Sequence, residues 1–259
     1  MLRATWIGLL AVVSGFLAAP CRAVEPASDT PAKTYAVLVG ISKYSDPQIL
    51  PRRNAEADAQ ALYDLITDKT YLGAASDDVK LLLGSTDDKR HADPATKANI
   101  VKAITDAAHK AGKDDLILIA LIGEGAELGE KTCFLASDST FKDRAKNAVT
   151  SHDVESAIAA LKSQKLCAIV DVDYKGIDHG KDVVPDPNIN FGDFLKAFVG
   201  NEDKEEHTLP PGRVIILSNN SYTHPLELPS QGVFTKVLID ALKGSADKDG
   251  YEPDGVVTI

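Results

Sequence analysis

Residues 116–122 read LILIALI, seven apolar side chains in succession, and nothing else in the chain restricts its fold so much. A strand that is apolar on both faces has to be covered on both faces, so it belongs in the middle of a sheet with a layer on either side. The flanking sequence agrees. Residues 35–40, 79–83, 167–171 and 214–217 are short, continuous apolar stretches of strand length. Between them, residues 54–67 and 96–108 carry apolar side chains at helical spacing, for example Ile100, Ala103, Ile104 and Ala107. Residues 191–198 and 233–242 also read as helices, and Ser151 is expected to cap another that runs to Leu161. Residues 130–136 read as a short strand or hairpin. This alternation predicts an α/β fold with a largely parallel sheet between two helical layers.

A chain of 259 residues, 44% hydrophobic and 25% charged, is long enough for one large domain with tails. Its formal charge is −10, with Lys and Arg scattered among the acids. Phosphate binding needs a concentrated basic face, so nucleic acid is not an expected partner. At the N-terminus, Arg3 precedes an apolar stretch over 6–19 and then Pro20-Cys21-Arg22-Ala23. This is the layout of a secretory signal peptide over 1–23, cleaved after Ala23, with an uncleaved anchor as the alternative. The stretch is short for a membrane span. The mature protein is therefore expected in the periplasm or outside the cell, free of the membrane. Residues 24–33 form a Pro/Ala/Ser linker and 34–259 the domain. The apolar end, Val256-Val257-Thr258-Ile259, reads as a boundary with more protein beyond it.

After cleavage Cys133 and Cys167 remain, each in an apolar strand-like stretch. Export permits a disulfide, but two buried, inert thiols are the expected arrangement. No Cys/His spacing of a metal site is present, and no cofactor is expected. Two long polar stretches, 175–190 and 200–212, interrupt the pattern and have the length of functional or mobile loops.

In open α/β sheets, sites form outside the carboxyl ends of the strands. Two such ends stand out: Gly123-Glu124-Gly125, where the central run stops, and Asp171-Val172-Asp173. Together with "YAVLVGISKY" (35–44), "LPRRNAEADAQALYDLI" (50–66), "LCAIVDVDYKG" (166–176) and "GVFTKVLIDALKGSAD" (232–247), they carry a resemblance. The chain resembles the caspase-domain cysteine peptidases, and among them the bacterial metacaspase-like group, over most of 35–257. The resemblance implies a caspase-like three-layer sandwich. It also places Glu124 where the family has its catalytic histidine and Asp173 where it has its nucleophilic cysteine.

That family's chemistry needs a thiolate to attack and an imidazole to pass protons. Cys167 cannot stand in, because six residues of extended strand put it about 20 Å from Asp173. The resemblance therefore implies a pseudopeptidase. Asp58 and Asp171 match the family's acidic pocket for a basic substrate residue, so the implied ligand is a peptide or protein bearing Arg or Lys. Converging carboxylates must take up a proton, bind a cation or accept a basic side chain. Taken without the resemblance, Glu124 reads as a turn residue and Asp58, Asp171 and Asp173 as loop anchors. Two other functions compete: a different hydrolase working through Glu124 and Asp173 or through a divalent cation held with Asp171, and a structural interaction domain of a longer exported protein. The sequence carries no sign of oligomeric state.

Overall fold

The structure, a computed structural model, describes residues 31–180, 192–199, 212–218, 224–248, 254, 255 and 257. The signal peptide, most of the linker, and most of both long polar stretches lie outside the described residues.

β1 (Thr34–Gly40) leads into α1 (Ala55–Thr67), and β2 (Val79–Leu83) follows. The two-residue β3 (Asp93–Pro94) precedes α2 (Lys97–Lys110), which leads to the long β4 (Leu116–Leu128). β5 (Lys131–Phe134), the short α3 (Arg144–Asn147), β6 (Val149–Thr150) and α4 (Ser151–Ile158) come next. β7 (Lys165–Asp173), α5 (Gly192–Val199), β8 (Arg213–Leu217) and α6 (Val233–Asp240) complete the layers. After α6 the chain runs through a wider turn, Ala241–Ser245, into α7 (Ala246–Lys248).

Six strands pair in parallel in the order β3-β2-β1-β4-β7-β8. β5 folds back antiparallel on the far half of β4, and β6 pairs with β5. The apolar run of β4 divides as its pleat requires. Ile117, Ile119 and Leu121 enter one core with α2, α4 and α5, while Leu118, Ala120 and Ile122 enter the other with α1 and α6. The expected α/β sandwich is thus present. Among the described residues no helix is long and apolar enough to cross a membrane.

Two expectations are corrected. The central strand does not stop at Gly123-Glu124-Gly125. It continues to Leu128, because β7 pairs with it as far as Glu124 and β5 takes over from Gly125. Backbone groups there are satisfied partly by these ladders and partly by side chains, Tyr44 on the Glu124 amide and Arg52 on the Gly123 carbonyl, so no turn is needed. The cap of α4 is Thr150 rather than Ser151: its hydroxyl accepts from the Asp153 amide at 3.2 Å and the Asp153 carboxylate accepts from the Thr150 amide at 2.8 Å. That reciprocal pair outcompetes a lone serine.

The helix after β1 covers one face and the helix before β4 covers the other, so the winding reverses between these neighbouring strands. A crevice opens at the carboxyl ends of strands where this happens.

Candidate functional site

Three strand ends and one returning segment meet at that crevice. In the parallel register of β4 and β7, Glu124 stands directly beside Asp173. Asp171 lies two residues back on β7, on the same face as Asp173. Asp58 comes from the first turn of α1. All four are buried, at 2% exposure for Glu124, 7% for Asp173, and none for Asp58 and Asp171. The four carboxylates named by the sequence are therefore neighbours on adjoining elements.

Each has its own arrangement. Glu124 is locked by its backbone: its amide donates to the Tyr44 hydroxyl at 2.7 Å and its carbonyl accepts from Leu135 at 2.9 Å. Its side chain runs against Gly176, where a Cβ would lie 1.7 Å from Oε2, so only glycine leaves room for it. Oε2 has no hydrogen-bond partner. Burial, and then the Asp173 charge, push the Glu124 carboxyl up to about 9, so it holds a proton at neutral pH.

Asp58 accepts from the Gly232 amide at 3.0 and 3.2 Å, another approach that a Cβ would block, at 2.5 Å. Burial raises its carboxyl to about 7. Asp173 accepts from the Lys175 amide at 2.8 Å through one oxygen and faces His224 Nδ1 at 2.7 Å through the other. A carboxylate can only accept here, so the imidazole donates.

Asp171 faces a guanidinium. Arg52, itself 5% exposed, places Nη2 2.6 Å from Asp171 Oδ2. Its Nη1 donates to the Gly123 carbonyl at 3.1 Å and to the Asp171 carbonyl, and its Nε reaches Glu227 Oε1 at 3.3 Å. Burial alone would lower the Arg52 pKa, but the Asp171 and Glu227 carboxylates outweigh it and the group is firmly charged. Glu227 also accepts from Asn54 Nδ2 at 2.6 Å. Asn54 precedes α1 without capping it, because its amide is turned to this contact and to the Leu228 carbonyl at 2.8 Å.

The chain thus uses two of the three remedies open to crowded carboxylates: a proton on Glu124 and a basic side chain, its own, on Asp171. Sequence reasoning missed Arg52, Glu227, Tyr44 and His224. The one usable signal was the pair Arg52-Arg53 just before the acidic start of α1, since a buried acid cluster asks for a cation nearby. His224 is exposed over 64% of its side chain yet engaged with Asp173.

Neither cysteine joins the cluster. Both are free and buried. Cys133 Sγ lies 3.5 Å from the Ala126 carbonyl within a small core with Ile49, Leu135 and Ala148. Cys167 pairs with Leu118, six residues back from Asp173 along β7. Burial raises both thiols to about 11, which leaves them protonated and unreactive at neutral pH. Among the described residues no group of three or more His, Cys, Asp or Glu is arranged to hold a metal ion.

Comparisons with known proteins agree with this fold. The family model of the caspase domain matches residues 33–252. The fold is similar to the crystal structure of protein GSU0716 from Geobacter sulfurreducens, with a TM-score of 0.54 and 15% identity over 82% of each chain. At that identity the likeness shows the fold alone. No curated protein matches the chain.

Proposed function

Because the chain belongs to the caspase-domain family, we propose that it is a member that binds without cutting, a module whose acidic cleft takes the basic side chain of a peptide or protein. The observation that supports this most directly is the pair of carboxyl groups, Glu124 beside Asp173, at the two positions that the resemblance matches to the family's imidazole and thiol. A carboxylate is a poor nucleophile towards amides, and a carboxyl that keeps its proton to about 9 cannot serve as the general base. Asp171 is already matched by Arg52, and Asp58 by the Gly232 amide. The carboxylate left to meet an incoming cation is Asp173. The N-terminal segment 1–23 exports the protein, so the ligand is extracytoplasmic.

The experiment has two parts. The purified mature chain should hydrolyse neither arginyl nor lysyl peptide amides, yet bind an Arg-containing peptide in calorimetry, and Asp173→Asn should abolish the binding. Hydrolysis that disappears with Asp173→Asn overturns the proposal.

One observation favours a second reading: a protonated Glu124 directly beside a second carboxyl group, Asp173, is the side-chain pairing of a carboxylate hydrolase. It predicts turnover of an activated ester that Glu124→Gln removes. Titration with calcium, magnesium and zinc tests its metal-assisted form, which requires a thermal shift that Asp171→Asn cancels.

A further inference from the structure

Residues 224–232 lie across the mouth of the cleft and meet its floor only through polar groups. His224 is on Asp173, Glu227 is on Arg52 and Asn54, the Leu228 carbonyl is on Asn54, and the Gly232 amide is on Asp58. The stretch also closes on itself. Leu228 donates to the Gln231 carbonyl at 2.8 Å and Val233 to the Leu226 carbonyl at 2.9 Å, with Glu227 and Gly232 as bridge partners. Its apolar side chains anchor it only in part: Leu226 is 73% exposed, while Leu228 keeps 37% of its surface in solvent. A unit that keeps its own turn, places no side chain in either large core and is held largely by exchangeable polar contacts belongs to the low-stability end of a protein.

We propose that residues 224–232 form an intrasteric strap, with His224 standing at Asp173 in place of a ligand's basic group, which a ligand must displace. The charges on each element support this. With the strap down, Asp173 has His224 and Arg52 has both Asp171 and Glu227. With the strap lifted, Arg52 keeps Asp171, whereas Asp173 loses His224 and Asp58 loses the Gly232 amide, so these two carboxylates are the ones uncovered. The strap therefore masks the group that the preceding section assigns to the ligand; this competition rests on that reading, whereas the detachment does not. The imidazole is exposed over 64% of its side chain, so it can leave the buried Asp173 without unpacking a core and a cationic ligand can take its place.

The test uses the full chain and His224→Ala/Glu227→Gln, both exposed side chains outside the cores. Hydrogen exchange followed by mass spectrometry reads the strap, and titration with N-acetylarginine amide reads the cleft. The variant should exchange amides 226–233 roughly tenfold faster, with β1 and β4 unchanged, and should bind the probe about five- to tenfold more tightly. Unchanged exchange over 226–233 overturns the strap whatever the probe does. Faster exchange with equal or weaker probe binding overturns the competition. Faster exchange with no probe binding to either protein supports the detachable strap and sinks the ligand reading instead.

Discussion

At the scale of single residues, Arg52 decides how the acidic floor survives burial. A carboxylate and a guanidinium removed from water stabilise little as a pair, but removing one partner strands the other. Arg52→Leu should therefore cost about 3–5 kcal/mol in urea unfolding, and Arg52→Leu/Asp171→Leu should recover much of that loss. Glu124 makes a different prediction. Its folded pKa of about 9 lies above the ordinary 4.5 of a glutamate in water, so the folded state holds a proton that the unfolded state releases. Stability from this group is complete below pH 4.5 and is lost as pH rises towards 9. Glu124→Gln removes that loss, so the variant should be more stable than the parent by roughly a few kcal/mol at pH 8, and the gap should close towards pH 5. The carboxylates were legible in the sequence; their partners were not. His224 is 51 residues from Asp173 and Glu227 is 175 from Arg52, separations across which local pattern carries no information.

At the scale of elements, the hydrophobic rhythm marked the strands and helices, but their ends were set by partners. β4 runs on through Glu124 because β7 and then β5 supply its ladder, a fact of pairing that no window of sequence contains. β7 likewise extends to Asp173 for as long as β4 accompanies it. Caps are the exception, since they are local chemistry, and the α4 start was missed only by one residue. Thr150→Ala should cost about 1 kcal/mol in thermal or urea unfolding, with a smaller loss for Ser151→Ala, which supplies no capping bond.

At the scale of the whole molecule, the three-layer arrangement was fixed by the apolar run over 116–122, since only a central strand needs cover on both faces. The two cores divide along that strand's alternation. The proposed export rests on a separate segment, residues 1–23, with its own logic of charge and greasiness. Material recovered from the periplasm or medium should begin at Val24 on N-terminal sequencing; retention of residues 1–23 would mean an anchored protein instead.

The seating of Arg52 against Asp171 also bears on how such a site could change over generations. On the proposed reading, a route to a cutting enzyme has to install an imidazole, install a sulfur and clear the guanidinium from beside Asp171. Taken singly, the last step leaves a naked charge in the interior and the first two gain nothing without each other. Every single-step shortcut therefore crosses a valley, and a site of this build resists conversion one residue at a time.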